Sequence, residues 1–346
     1  MDPLVLVVLG VLLVVVFDFT NGFHDASNMV ATIIASRALT PAQAIVLISV
    51  FSFVGPLLGG TAVADTIGSF VQLGDTEPGI ALAVTSSGLA AAVVWNLLTW
   101  RWGIPSSSSH ALVGGLCGAV GTAIGLDHVV WGLAALGGGR LEGVAKIAAA
   151  LLLSPLLGFG AGFVLQRLMR RLLARATPRA NRGLRRAQWV TAAALAFSHG
   201  TNDAQKGMGV MTLVLLTGGQ LQSFVVPLWV VALCAGAITL GTVSGGWRIV
   251  RTLGFGIYRI RPLHGFDSQL ASAGVVLGAG MLGGPVSTTH VVSSSIMGIG
   301  AAERPRAVRW SRAREIVLTW VITLPGAAAL GAGFHGLHVL VRTLLG

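Results

Sequence analysis

An acidic residue occurs twice inside an otherwise apolar, helix-forming stretch of this chain, each time within the same short motif. The first copy reads FTNGFHDASN and contains Asp25, and the second reads FSHGTNDAQK and contains Asp203, at an offset of 178 residues. An ionised carboxylate inside an apolar segment is costly, and it usually marks an ion or proton path in which a cation or a polar shell compensates the charge. The sequence therefore predicts a duplicated cation site.

A second duplicated motif follows each aspartate at nearly the same distance. PSSSSH ends at His110 and PVSTTH at His290, so aspartate and histidine are 85 residues apart in the first half and 87 in the second. Proline favours the first turn of a helix, where backbone N–H groups have no helical acceptor. Two such helix starts would supply N–H donors, positive dipole ends and hydroxyls, which suit a small tetrahedral oxyanion such as phosphate or sulfate. The alternative is that the hydroxyls only cap their helices. The hydroxyls are those of Ser107, Ser108, Ser109, Ser287, Thr288 and Thr289.

Composition indicates a membrane protein. Hydrophobic residues make up 54% of the 346 residues and charged residues only 10%. Apolar runs of about 20 residues, enough to cross a bilayer, recur along the chain. The 48 glycines would let helices pack closely in lipid, and the two cysteines lie alone in apolar segments, which predicts core residues rather than a disulfide or metal site. We predict ten spans, at 3–36, 42–64, 79–100, 103–126, 141–166, 190–216, 224–246, 268–283, 286–301 and 315–341.

The net charge of +11 comes mainly from basic residues in the loops between these predicted spans. Of the 23 Lys and Arg residues, 19 fall on one side, at Arg37, Arg101 and the clusters at 167–186, 248–261 and 304–314. Such a bias in short loops predicts that the arginine-rich side faces the cytoplasm and that both termini lie outside. The alternative for the cluster at 167–186 is binding to nucleic acid or lipid headgroups. We expect the lipid bilayer as a partner and no nucleic acid.

Ten spans divide into two sets of five, and an odd number makes the second set enter the membrane in the opposite sense. We predict an all-α integral membrane protein built as an inverted-topology repeat of about five spans each, with discontinuous helices at the substrate site. The first repeat is predicted at 1–166 and the second at 188–346, joined by a basic cytoplasmic linker at 167–187. Secondary transporters share this plan, with the substrate near the midplane at the repeat interface.

The helix breaks are expected at two kinds of place. Glycine and asparagine around Asp25 and Asp203 should weaken the helices there, and proline before each hydroxyl motif should start a new helix. Irregular backbone at membrane depth is tolerated only where it lines a cavity or is buried in protein. The segments at 103–126 and 286–301 are therefore predicted either to cross fully or to re-enter.

These motifs resemble those of a known family. The GFHD and GTND sequences with the two P-x-S-(S/T)-(S/T)-H sequences are similar to the inorganic phosphate transporter (PiT) family, of the bacterial low-affinity phosphate permease type, over nearly the full chain. The resemblance implies a secondary active symporter, commonly a homodimer, that imports inorganic phosphate by means of a sodium or proton gradient. It implies a multi-pass protein of a prokaryotic plasma membrane, and we expect neither enzyme activity nor a cofactor.

The resemblance also implies roles for single residues. It places cation coupling at the two aspartates with Asn28 and Asn202, and phosphate contacts at the six hydroxyls. Sodium-coupled members repeat N-D-x-x-N, whereas this chain has His24 in place of the first asparagine and Lys206 in place of the last. Because a buried lysine can shift its pKa readily, Lys206 favours proton coupling, with sodium at Asp25 and Asn28 as the alternative. His24, His110, His199 and His290 are candidate proton carriers, or else residues that orient a helix.

Two other functions can be weighed against this one. A sulfate permease of the same fold would use the same hydroxyls, but phosphate keeps an O–H donor near neutral pH that sulfate lacks, so acceptor carboxylates favour phosphate. A membrane hydrolase that used a serine and a histidine of SSSSH would not explain the second copy, and adjacent residues do not face each other as nucleophile and base. The carried species is either free phosphate or a neutral metal-phosphate complex.

Overall fold

The computed structural model describes residues 3–345, so the first two residues and the last residue of the predicted repeats lie outside the described residues. The described residues are almost entirely helical. The helices are α1 (Pro3–Ala35), α2 (Pro41–Leu58), α3 (Ala62–Gly68), α4 (Pro78–Trp102), α5 (Ser108–Ala123), α6 (Leu133–Leu136), α7 (Gly143–Leu172), α8 (Ala180–Thr217), α9 (Leu228–Ser244), α10 (Trp247–Arg251), α11 (Pro262–Met281), α12 (Thr288–Glu303) and α13 (Trp310–Leu345). A π-helical turn, Thr252–Gly256, follows α10.

Each of the ten predicted spans contains one of the longer helices, and the inverted repeat is visible in how they pack. Helices α1, α2, α4, α5 and α7 correspond in order to α8, α9, α11, α12 and α13. The packing is crosswise: α1 lies against α9 and α2 against α8, while α5 lies against α13 and α7 against α12. The all-helical, inverted-repeat architecture is confirmed. Only 173–179 separates α7 from α8, so most of the predicted linker at 167–187 is helical, and the exact division into repeats stays a prediction.

Not every predicted span is long and apolar enough to cross a membrane on its own. Within the described residues, α1, α2, α4, α7 and α13 meet that test, and α9 with the turn after it makes a sixth span if the bent pair is counted as one. The remaining long helices are α5, α8, α11 and α12, and three of them carry the duplicated motifs. Buried polar side chains, rather than helix length, therefore mark the interior of the bundle.

The chain at 103–126 runs the full length of its neighbour α4. Gly103, with a φ of 68°, ends α4 in a left-handed turn, and α5 starts five residues later. Beyond α5, Val129 forms an antiparallel bridge with Val71, which shortly precedes the other end of α4. The 25 residues of α4 measure about 37 Å, longer than the hydrocarbon core of about 30 Å. This segment therefore crosses from one end of α4 to the other and does not re-enter.

The equivalent segment of the second repeat behaves in the same way. After α11, the chain turns at Gly283 and α12 starts at Thr288. Glu303, the last residue of α12, lies 2.5 Å from Nε2 of His264 at the start of α11. Helix α12 thus returns to the end at which α11 began. Because α5 and α12 have only 16 residues each, about 24 Å, their extended leaders complete both crossings.

The expected helix breaks around the two aspartates are wrong. Helices α1 and α8 run without interruption through Asp25 and Asp203, and the breaks lie only before the hydroxyl motifs. One glycine inside a helix costs about 1 kcal/mol, which packing can offset. Here a Cβ on Gly22 would lie 2.0 Å from the carbonyl oxygen of Ile238, and one on Gly200 would lie 2.3 Å from that of Ser52. These glycines serve close helix contact between the repeats rather than helix breakage.

Candidate functional site

The duplicated hydroxyl motifs form two helix starts that meet inside the protein. Ser107 caps α5, because its Oγ accepts the N–H of His110 at 3.2 Å, and Ser287 caps α12 by accepting the N–H of His290 at 3.3 Å. The two starts lie against each other, with the centroids of the two histidine rings 4.7 Å apart. Ser107 and Ser287 are therefore helix caps, and the hydroxyls that follow each of them line the junction between the repeats.

Asp25 is buried, and side chains of both repeats hold its carboxylate. Oδ1 lies 2.9 Å from Nδ1 of His24 and accepts the hydroxyl of Thr289 at 3.1 Å. The Nδ2 group of Asn28 donates to the oxygen of the same threonine at 2.8 Å. Helix α1 of the first repeat is thus joined to the start of α12 in the second. An alternating-access mechanism has to rearrange an interface of this kind.

Asp203 has a different shell, which includes a cation. Its Oδ2 accepts the hydroxyl of Thr288 at 2.6 Å and lies 2.8 Å from Nδ1 of His199. Its Oδ1 accepts a hydrogen bond from the ammonium of Lys206, which also donates to the carbonyl of Val286 at 3.0 Å. Lys206 is fully buried. An ammonium in this position neutralises the carboxylate, whereas the matching position of the first repeat holds the uncharged Asn28.

The two copies of the site differ, because both carboxylates accept hydrogen bonds from the second hydroxyl motif. Thr289 donates to Asp25, and Thr288 donates to Asp203. In the first motif, Ser108 donates instead to Oδ1 of Asn21 at 2.7 Å, and Ser109 donates to the carbonyl of Val286 at 3.4 Å. Among the described residues, the serines of the first motif contact no carboxylate. The hydroxyls of the second motif bind carboxylates and those of the first motif do not. Such a site can bind a cation at the carboxylates and an anion at the other hydroxyls.

Three buried groups from the two repeats form a potential cation site. One ligand atom each from Asp25, His199 and Asp203 can be chosen so that all lie within 4.8 Å of one another. Carboxylate oxygens suit hard cations such as sodium, and a histidine nitrogen extends the set towards divalent metals. Two carboxylates at this separation repel each other. Within this cluster and its shell, Lys206 is the one lysine or arginine side chain described.

Several polar atoms around this cluster have no hydrogen-bond partner among the described residues. They are Nδ2 of Asn21, Oδ1 of Asn28, Nε2 of His199 and Oδ1 of Asn202. Buried polar atoms in native proteins are generally paired, so unpaired donors and acceptors close together indicate groups that meet a ligand or water. Nδ2 of Asn202 donates to the carbonyl of Gly284 at 3.0 Å, and this bond connects α8 to the segment that leads into α12. This set contains donors for an anion and acceptors for a cation or a protonated oxyanion.

The four candidate proton carriers fall into two pairs. Nδ1 of His24 contacts the carboxylate of Asp25, and Nδ1 of His199 contacts that of Asp203. His110 and His290 contact neither aspartate, and the ring of His290 stacks on Trp320 with centroids 4.0 Å apart. The first pair therefore lies at the two aspartates, and the second pair packs at the helix starts.

The sequence motifs missed several residues of the site. Nε2 of His24 lies 3.4 Å from the hydroxyls of both Thr99 and Ser106. Asp18, about two turns before Asp25, is fully buried, and its carboxylate lies against Gly207, next to Lys206. An acidic residue in an apolar run was a signal that could have found Asp18. Nothing local in the sequence marks Thr99, because its role arises from the packing of α4 on α1.

Comparison with known protein families gives a clear match. The family model described as the phosphate transporter family matches residues 21–184 and 173–331. A protein of Bacillus subtilis (strain 168), described as a probable low-affinity inorganic phosphate transporter, is 44% identical over 332 residues, which cover 95% of this chain and 96% of that protein. A protein of Rhizobium meliloti (strain 1021) with the same description is 44% identical over 319 residues, covering 91% of each chain.

Comparison with solved structures supports the same architecture. The structure entitled the sodium-dependent phosphate transporter superposes with a TM-score of 0.86, at 24% sequence identity, and covers 97% of this chain and 100% of that one. At this identity the similarity establishes the fold alone. The family model and the two curated relatives are all described as phosphate transporters. Proteins of this family are transporters and not enzymes.

Proposed function

The chain belongs to the phosphate transporter family, and on that premise we propose that it imports inorganic phosphate by symport with protons. The observation that carries the choice of proton is the contact between the Lys206 ammonium and Asp203, at the position where the first repeat has Asn28. A protein ammonium in that place substitutes for a bound metal cation. Proton coupling through the remaining carboxylate then needs no sodium.

Charge in the buried site supports a coupled mechanism. With the histidines and the buried Asp18 taken as neutral, Asp25 and Asp203 carry two negative charges and Lys206 one positive charge, which leaves one negative charge uncompensated. Phosphate would enter this site against like-charge repulsion until a cation neutralises that charge. A proton on a carboxylate removes the repulsion and adds an O–H donor for the anion. The cation and phosphate would therefore bind together and travel together.

We propose the following order of events. From the outside, a proton reaches Asp25 or Asp203, with His24 and His199 as the adjacent carriers. Phosphate then docks between the helix starts, where Ser108 and Ser109 of the first motif and the freed hydroxyls of the second donate to it. Protonated aspartate no longer competes as the acceptor for those hydroxyls. The hydrogen bonds that join α1 to α12 then rearrange as the repeats open to the cytoplasm.

Sodium coupling is the second candidate, and two observations favour it. The ligand atoms of Asp25, His199 and Asp203 converge, and Oδ1 of Asn28 has no partner among the described residues. The structural neighbour is titled as sodium-dependent. A sodium ion at Asp25 and Asn28 would supply the same positive charge as a proton. A sulfate permease is less favoured, since sulfate near neutral pH brings no O–H for the acceptor carboxylates.

The remaining features of the proposal concern the assembly and its setting. We propose a homodimer in a prokaryotic plasma membrane, with both termini outside and the α7–α8 connection in the cytoplasm, in accord with the positive-inside rule. The cargo is orthophosphate, either free or as a neutral complex with a divalent metal. The cluster of two carboxylates and one imidazole is chemically suited to the metal of such a complex.

The test is uptake of labelled phosphate into proteoliposomes under an inward proton gradient, with sodium absent. We expect accumulation that a protonophore abolishes, and Asp203→Asn and Asp25→Asn variants that reach the membrane but do not accumulate phosphate. Accumulation that begins only when sodium is added would refute proton coupling and leave phosphate transport in place. If the protein accumulates sulfate in preference to phosphate when both are supplied, the proposed cargo is wrong.

A further inference from the structure

The arginine-rich face of the protein opens into a cleft that ends next to the buried site. The cleft has a volume of about 590 Å³, and its floor and walls come from both repeats. From the first repeat it is lined by Trp102–Pro105, the leader of α5. From the second repeat it is lined by the π-helical turn after α10 and by the start of α13. The cleft therefore lies on the seam between the repeats, where alternating access opens and closes a path.

The floor of the cleft is one residue from the polar site. Pro105 is buried and lines the cleft, and the next residue, Ser106, lies with its Oγ 3.4 Å from Nε2 of His24. His24 in turn contacts Asp25. Above the floor, Thr252 donates to the carbonyl of Gly103 at 2.9 Å, which fastens the second repeat across the leader of α5. A small rearrangement of this leader would connect the cleft with the site.

The charged side chains of the cleft favour an anion. Arg251, Arg309 and Arg312 line it together with a single acid, Glu315. Nη1 of Arg312 lies 2.6 Å from Oε2 of Glu315, so these two charges compensate each other. Arg309 donates from Nη1 to the carbonyl of Phe255, and Arg251 has no carboxylate within ion-pair distance among the described residues. Two uncompensated guanidinium groups in a concave surface focus a positive potential on the cleft.

We propose that this cleft is the release vestibule of the transporter, with a second, low-affinity site for inorganic phosphate at Arg251 and Arg309. The inference rests on the proposed phosphate transport and adds to it the route and the residues by which the anion leaves the site. Guanidinium groups bind phosphate oxygens in a fork geometry, and their exposure keeps the binding weak enough for release.

The first experiment measures access to the floor of the cleft. Ile104→Cys is introduced into a variant in which Cys117 and Cys234 are both replaced by alanine, and a membrane-impermeant thiol reagent is applied to one face of the proteoliposome at a time. We expect labelling only from the face that carries the α7–α8 connection, slowed by inorganic phosphate. Ala176→Cys, exposed on the α7–α8 connection outside the cleft, is the matched control, and its labelling should not respond to phosphate.

The second experiment tests the two arginines in the Ile104→Cys background. Arg251→Gln and Arg309→Gln should each raise the phosphate concentration that half-protects the introduced thiol about threefold, the size expected for one exposed charge. Arg175→Gln removes the same charge from the α7–α8 connection, outside the cleft, and should leave protection unchanged. Equal effects of all three variants would overturn the phosphate site, because they would indicate only a change in surface potential.

The outcomes separate this inference from the proposed function. If the cysteine-free parent accumulates phosphate but the thiol of the Ile104→Cys variant is labelled at the same rate with and without phosphate, the vestibule is overturned and the proposed function stands. If that thiol is labelled only from the face opposite the α7–α8 connection, the cleft is not the release route, and the vestibule is overturned. If the parent does not carry phosphate while sulfate protects the thiol, the proposed cargo is wrong and the cleft serves another anion.

Discussion

Asn28 and Thr289 lie 261 residues apart in the chain, and the amide of the first donates to the hydroxyl of the second at 2.8 Å. This contact joins α1 of one repeat to the start of α12 in the other. The same hydroxyl donates to Asp25 at 3.1 Å, so one threonine connects a buried carboxylate of the first repeat with a helix start of the second. The state of the carboxylate can therefore be transmitted directly to the interface between the repeats.

The Thr289 hydroxyl should be required for coupling. Thr289→Val keeps the shape but leaves the Asn28 amide without its acceptor and leaves the Asp25 carboxylate with His24 alone. An unpaired buried amide costs about 1–3 kcal/mol. We expect phosphate accumulation to fall about tenfold or more. Thr289→Ser keeps the hydroxyl and should retain most of the activity. Equal loss in both variants, measured by labelled phosphate uptake at matched protein levels, would show that the methyl group matters and the hydrogen bonds do not.

The Lys206 and Asp203 pair should behave as a unit in stability measurements. Lys206→Met leaves a buried carboxylate without its cation, which typically costs about 3–5 kcal/mol. The double variant with Asp203→Asn removes both charges and should recover much of that loss. The measurement is thermal unfolding of the purified protein in detergent for the wild type, both single variants and the double variant. Additive losses in this cycle would contradict a direct coupling between the two side chains.

The duplicated motifs were sufficient to predict the architecture, because each records a constraint that acts locally. Apolar run length predicts spans, proline and serine predict a helix start, and an odd number of spans per copy predicts inversion. The pairing within the site was not predictable in this way. That Thr288 binds Asp203 and Thr289 binds Asp25 depends on how α12 is placed between α1 and α8, and no spacing in the sequence encodes this placement.

The glycines near the two aspartates also show what a single segment of sequence does not predict. Glycine three residues before each aspartate predicts a weak point in the helix, since intrinsic propensity is all that a single segment reveals. In the folded protein these glycines allow the backbone of one repeat to touch that of the other, and the helices continue. Tertiary contact overrides propensity here. Gln205 gives a second example of a local feature that depends on tertiary contact. Its Oε1 accepts the N–H of Val63 at 2.7 Å and so caps the start of α3 from the other repeat.

Gly22 should tolerate no side chain. Gly22→Ala would place a methyl group 2.0 Å from the carbonyl oxygen of Ile238 on α9, so the two helices would have to separate. We expect loss of folded protein from the membrane, measured as the monodisperse yield after extraction. Gly236→Ala is the control on the facing helix, because nothing lies within 4 Å of its Cβ position, and it should be neutral or slightly stabilising. Normal yield for Gly22→Ala would contradict the packing of α1 on α9.

Glu303 and His264 should make the stability of the second repeat depend on acid. The hydrogen bond from His264 lowers the pKa of the Glu303 carboxyl from its usual 4.5 to about 2, and the hydroxyl of Tyr258 adds a weaker bond at 3.3 Å. A carboxylate with a lowered pKa in the folded state contributes stability that is complete above about pH 4.5 and is lost as the pH falls towards 2.

Glu303→Gln removes this contribution, so its effect on the unfolding temperature should be largest near neutral pH and should shrink as the pH falls from 4.5 towards 2. Glu315→Gln is the matched control, because its carboxylate pairs with Arg312 with both side chains 60% exposed, and solvent screens such a pair. It should change the unfolding temperature little at any pH. A Glu303→Gln effect that stays constant across this range would mean that the charge on Glu303 does not hold α12 to the start of α11.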